Sequence, residues 1–287
     1  MPLPPKPHST KESPMKKHGT TVILLIVLIA GLSLLLYPSL SDWWNSMHQS
    51  RAVASYVEQV ANIDEEQYAH IWEAAWNYNE ALAERGTSYY LSEELVEEYN
   101  SILDIGGTGI MGYIEIPVIG VTLPIYHGTS EGVLQIAVGH LEWTSLPVGG
   151  ESSHSVVSGH RGLPRAKLFT DLDDLVVGDI FIFRVLDEIL TYEVDQILIV
   201  NPDETNALKI QQGEDLCTLV TCTPYGVNSH RLLVRGHRVE NQEEAQSIRV
   251  TADAMQIEPT IVAPIVAIPM LLVLLVIVLI PKRGRRR

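Results

Sequence analysis

TLVTCTPYGVNSHRLLVRGHR, residues 218–238, reads as a strand, a loop and a returning strand. Segments 216–221 and 232–239 are short and rich in Leu, Val and Thr, and the turn residues Pro224, Gly226 and Asn228 stand between them. Cys222 sits where the first strand ends, so its thiol stands at a rim and not in a core. Arg231 opens the second strand nine positions later, and a hairpin brings both to the same end of a sheet. A thiol that attacks a carbonyl needs a nearby base or imidazolium and a positive group for the oxyanion. Arg231 supplies the charge. The imidazole lies upstream in VVSGHRGLP (156–164), where His160 ends another short β-type run before Gly162 and Pro164. A lone cysteine is more often a small buried apolar residue than a nucleophile, so the chemistry rests on the combination of the three.

That combination, TLVTC (218–222) followed by Arg231 with GHRG (159–162) upstream, resembles the signature of the sortases. These are the cysteine transpeptidases of Gram-positive bacterial surfaces. The blocks MGYIEIPVIGVTLPIYHGTSEGVL (111–134), GHLEWTSLPVGG (139–150), SGHRGLPRAKLFTDLDDL (158–175) and TCTPYGVNSHRLLVRGHR (221–238) are similar, in order, to class C, the pilin-polymerising branch. The resemblance implies a mainly β fold: an eight-stranded barrel with a helical segment before it. It also implies Cys222 as nucleophile, His160 as general acid and Arg231 as the group holding the substrate carbonyl and oxyanion, with no cofactor and no metal. The implied substrates are pilins or other surface proteins ending in an LPxTG-like sorting signal, cut between Thr and Gly. The acyl group then passes to a lysine amine of the next pilin. A housekeeping-type sortase, which anchors proteins to cell-wall peptide, and a non-catalytic membrane-tethered binding module are the alternatives. A hydrolytic cysteine peptidase is disfavoured by the absence of a CGSCW-like block. Class C enzymes usually carry a lid with an Asp-Pro-aromatic anchor over the cysteine. The corresponding segment here, AERGTSYYLSEELVEEYNSIL (83–103), has no Asp-Pro pair, which predicts a loosely held lid with Tyr89 or Tyr90 shielding Cys222; the alternative is a helix–loop–helix packed elsewhere.

The ends of the chain carry the membrane signals. Residues 19–41 and 259–281 contain no charged residue between 19 and 41 or between 259 and 281, and each is long enough to cross a hydrocarbon layer as a helix, which takes about 20 residues. The first run exceeds an ordinary signal-peptide core and lacks a small-x-small cleavage site after Tyr37, so it reads as an uncleaved signal anchor, with Pro38, Trp43 and Trp44 at the interface. Lys6, Lys11, Lys16 and Lys17 precede it; Lys282, Arg283, Arg285, Arg286 and Arg287 follow the second run. Positive flanks stay cytoplasmic, which predicts a cell-membrane protein with both termini inside and residues 42–258 outside. The expected order is a cytoplasmic tail (1–18), a transmembrane signal anchor (19–41), a helical membrane-proximal and lid-like region (42–109), the catalytic barrel (110–240), a tether (241–258), a transmembrane helix (259–281) and a basic tail (282–287). The outer part holds 11 basic against 34 acidic residues, a net of −23 within a chain of 287 residues and net charge −15. So acidic a surface disfavours nucleic acid as a partner.

Within the outer part, Tyr68, Ile71, Trp72, Ala75, Trp76 and Leu82 recur at helical spacing up to Gly86. Ser92 is a candidate cap for a second helix bearing Leu95, Val96, Tyr99, Ile102 and Leu103. GGTG (106–109) is a loop without the features of a phosphate loop. Eight short strands are expected at 112–116, 123–126, 133–138, 155–158, 180–186, 188–200, 216–221 and 232–239, a count that suits a sandwich or barrel. Cys217 and Cys222 are five positions apart, about 16 Å in extended chain and on opposite faces, so they cannot bridge; Cys217 belongs to the core. His127, His140, His154 and His237 lack metal-site spacing. Asp173 is a candidate to orient His160, on no geometry that the sequence supplies.

Overall fold

The computed structural model describes residues 14–86, 88–163 and 166–241. The expected second span at 259–281, most of the tether and the basic C-terminal tail lie outside the described residues, as do Lys6 and Lys11. The described residues from Ser41 onward form one compact unit, and the chain before it belongs to a second.

Helix α1 (Pro14–Ala61) runs through Pro38. From Ile23 it is long and apolar enough to cross a membrane, with a mean hydropathy of 2.5 over its most apolar window. From Ser41 to Ala61 it belongs to the compact unit and packs there against the barrel. There Tyr56 is buried and its hydroxyl joins two barrel elements, donating to Met111 O at 2.9 Å and accepting from Leu186 N at 2.8 Å. Helix α2 (Glu65–Arg85) is capped by the Asp64 carboxylate on Gln67 N and stops at Gly86, whose φ of 75° favours glycine. Its buried face is Ala75, Tyr78, Asn79 and Leu82, a spacing of three and four residues. Trp76, read from sequence as part of the apolar stripe, lies beside that face and is exposed. The polar member Asn79 earns its burial by a reciprocal pair with the Leu146 backbone, donating to O at 3.0 Å and accepting from N at 2.7 Å. Helix α3 (Glu93–Ser101) is capped by Ser92 on Leu95 N, as its sequence position implies.

The strands are β1 (Ile110–Ile116), β2 (Val121–His127), β3 (Val138–His140), β4 (Ser153–Ser158), β5 (Ile180–Val185), β6 (Glu188–Val200), β7 (Asp215–Thr223) and β8 (His230–Arg238). They close into a barrel in the order β1-β2-β3-β4-β7-β8-β6-β5. The fold is therefore mainly β, an eight-stranded closed barrel preceded by helices. One expected strand is displaced: 133–138 begins as a short helix, α4 (Glu131–Leu134), because the Ser130 hydroxyl caps Val133 N, and only Val138 onward pairs. Most pairs are antiparallel, but β2–β3 and β4–β7 are parallel. The second of these matters most, because it sets two strands running to the same end of the barrel.

Alternation assigns the faces. Val157, Cys217, Leu219, Leu232 and Val234 join the main core. Their neighbours Val156, Val220 and Leu233 point the other way into a smaller apolar strip, packed with Leu208, Leu141, Trp143, Leu198 and Val200. Cys217 is buried and Cys222 half-buried, both as free thiols. The parity argument from sequence holds.

Candidate active site

Cys222 is the penultimate residue of β7 and pairs directly with Arg231 near the start of β8. Opposed residues of antiparallel strands have Cα atoms about 4.5–5.5 Å apart, and both side chains lie on the face that carries Val220 and Leu233. The hairpin expected from sequence thus sets Cys222 and Arg231 opposite one another on one face. Arg231 Nη1 donates to the carbonyls of His230 at 3.1 Å and Asn228 at 3.3 Å, holding it against the connecting loop.

His160 reaches the same end by the parallel β4–β7 pair, which runs in step from Ser153↔Asp215 to Ser158↔Val220. The tie continues past the strand: Gly159 N donates to Val220 O at 3.0 Å, and the Thr221 hydroxyl donates to Gly159 O at 2.8 Å. Two residues beyond the last pair on each strand stand His160 and Cys222, so the structure brings all three candidates to one rim. Among the described residues no hydrogen bond engages the His160 ring. Asp173, the candidate orienter, pairs instead with Arg161.

The apolar strip ends at this rim. Its far wall is the β6–β7 connection, tied to the barrel by His154, a buried residue whose Nδ1 bonds Lys209 O at 2.9 Å and Nε2 bonds Thr218 Oγ1 at 2.7 Å. Burial pushes the His154 imidazole down to about 4, so the ring is neutral: one nitrogen donates to the carbonyl and the other accepts from the hydroxyl. At the mouth, the Tyr89 ring meets Trp143 edge-on with centroids 4.7 Å apart, and its hydroxyl bonds Thr205. Tyr90 is 92% exposed and shields nothing.

A buried polar hub that the sequence did not disclose fixes the helices to the barrel. The Tyr99 hydroxyl accepts from Gly128 N at 3.0 Å and lies 3.0 Å from His140 Nδ1, while His140 Nε2 bonds Ser145 O at 2.7 Å. Burial holds the His140 ring neutral, down to about 3. His140 and His154 thus use their nitrogens on protein atoms, as structural residues do. From sequence Tyr99 reads as part of an apolar stripe; nothing in a tyrosine's spacing distinguishes packing from hydrogen bonding.

Known proteins share this fold. The sortase domain model matches residues 114–239. A crystal structure of sortase C1 from Streptococcus agalactiae is 53% identical, with a TM-score of 0.66, over 67% of this chain and 100% of that one. The chain belongs to the sortase family. Sortase C of Streptococcus pneumoniae, a structure bearing on catalysis and pilin substrate specificity, is 44% identical with a TM-score of 0.61 over 67% of this chain and 97% of that one. Among curated sortases, sortase D of Bacillus subtilis (strain 168) is 32% identical over 131 residues, 45% of this chain; the match spans 63% of that protein's length. The two solved structures named here are sortases C, and the matched family region, 114–239, is the barrel.

Proposed function

We propose that this sortase is a class C transpeptidase that builds covalent pili. Cys222 Sγ attacks the Thr carbonyl carbon of an LPxTG-like signal, and Arg231 stabilises the oxyanion. The Thr–Gly C–N bond then breaks, His160 gives its proton to the departing glycine amine, and a thioester remains on Cys222. A lysine amine of another pilin attacks that thioester, losing a proton to His160. An isopeptide bond forms, the C–S bond breaks, and the Cys222 sulfur leaves as the thiolate. Anchoring through α1 keeps the barrel beside substrates that are themselves held at the membrane's outer face.

The observation that carries the reading is the direct β7–β8 pairing of Cys222 with Arg231 beside the end of β4. Pilin as substrate is carried over from the pneumococcal sortase C. In cells, Cys222→Ala is expected to abolish high-mass, SDS-resistant polymers of the pilin substrate, whereas Cys217→Ala leaves them. Polymers that persist without Cys222 refute the assignment.

A further inference from the structure

The rim holds a second arginine that the catalytic trio does not use. Arg161 directly follows His160, and its side chain is only 10% exposed. One Nη donates to the Thr223 hydroxyl at 3.3 Å, the other meets the Asp173 carboxylate, and the guanidinium carbon lies 5.9 Å from the centre of the Tyr225 ring. The next residue, Gly162, has φ +74°, and a Cβ there would come within 2.7 Å of the same ring. The contacts form a pattern. Thr221 and Thr223 flank Cys222; Gly159 and Arg161 flank His160; and Thr221 holds Gly159 as Thr223 holds Arg161.

We propose that Arg161, braced by Asp173, is a positioning residue: with Thr223 it closes the second of two ties that fix His160 beside Cys222. The inference rests on the sortase reading. The β4–β7 ladder ends at Ser158↔Val220 and its last backbone bond is Gly159 N to Val220 O, so beyond Gly159 only side-chain ties join the strand end that carries His160 to the one that carries the thiol. Fold stability alone is a poor reason for this pair. A guanidinium mostly withdrawn from water, with its Nε buried and without a partner among the described residues, gains little net stability from one half-exposed carboxylate. It does fix geometry, and proton transfer to the leaving amine depends steeply on geometry.

The test uses the full chain in detergent with a quenched peptide containing Leu-Pro-x-Thr-Gly. Arg161→Gln is expected to lower kcat roughly ten- to a hundredfold with KM within about twofold. Asp173→Asn and Thr223→Val act in the same direction and carry the test should Arg161→Gln not fold. The double variant Arg161→Gln, Thr223→Val is no slower than Arg161→Gln alone, because the two remove one tie. In each, the pH profile of Cys222 alkylation by iodoacetamide moves toward that of His160→Ala, a readout that a purely structural role leaves in place. Folded variants with wild-type kcat and an unmoved profile, or effects that multiply, overturn the proposal. Failure of the sortase reading shows elsewhere: wild-type protein would not cleave the peptide, or Cys222→Ala would cleave it equally.

Discussion

Tyr89 tests whether the segment before α3 guards the thiol. Its ring touches Trp143 edge-on and its hydroxyl bonds Thr205, so it spans the two loops beside the apolar strip that ends at Cys222. An aromatic pair of this kind contributes about 0.5–1.5 kcal/mol, and a hydrogen bond about as much. Tyr89 is 47% exposed, which places the sum nearer 1–2 kcal/mol than the upper limit, in rough terms. At about 1.4 kcal/mol per decade, its loss raises the open population roughly five- to thirtyfold. The assay is the rate at which a bulky maleimide modifies Cys222 in a Cys217→Ala background. Tyr89→Ala should accelerate it within that range, while Tyr90→Ala, at a position almost wholly in solvent, should change nothing. No acceleration would mean that the segment packs on the wall without covering the thiol. A hundredfold or greater rise would mean that the lid is held by more than these two contacts.

Other predictions concern the frame that holds the site. Glu115 and Arg184 form a buried ion pair at 3.0 Å, and Glu115→Gln removes one of its two charges, so urea unfolding should report a loss of about 3–5 kcal/mol; a change under 1 kcal/mol refutes this. Tyr99→Phe strands the Gly128 N–H and removes a partner of His140, for an expected cost of about 1–3 kcal/mol by the same measurement. Acid should also destabilise the fold. His140 and His154 have folded-state values lowered to about 3 and about 4, so the unfolded chain binds more protons, and stability falls as pH drops from about 6.5 toward those values. The slope should be on the order of 1 kcal/mol per pH unit for each histidine, offset at lower pH by Glu115 and Asp215, whose carboxyls burial raises. Equal unfolding free energies at pH 7 and pH 5 would show that these rings are hydrated.

The hairpin of β7 and β8 was legible because its information is local: alternating residues, turn formers at fixed places, and a period of two that puts Cys217 inward and Cys222 at the rim. The helix cap Ser92 is legible for the same reason, since a side chain satisfies a backbone group three residues away. The family pattern supplied what spacing could not, the association of His160 with a cysteine 62 positions later. Where local signals competed, the reading failed: 133–138 looks like a strand, yet Ser130 starts a helix turn first. Contacts between distant segments were not legible at all. Asp173 is as near His160 in sequence as it is Arg161, and only the packed chain gives it to Arg161; Asn79 on Leu146 and Tyr99 on His140 likewise join residues more than forty positions apart. Sequence by itself determined the strands, their faces and the reactive residue types. The tertiary structure alone decided which polar groups meet, because burial drives most buried donors and acceptors to a partner, and the partner is set by the closure of the barrel.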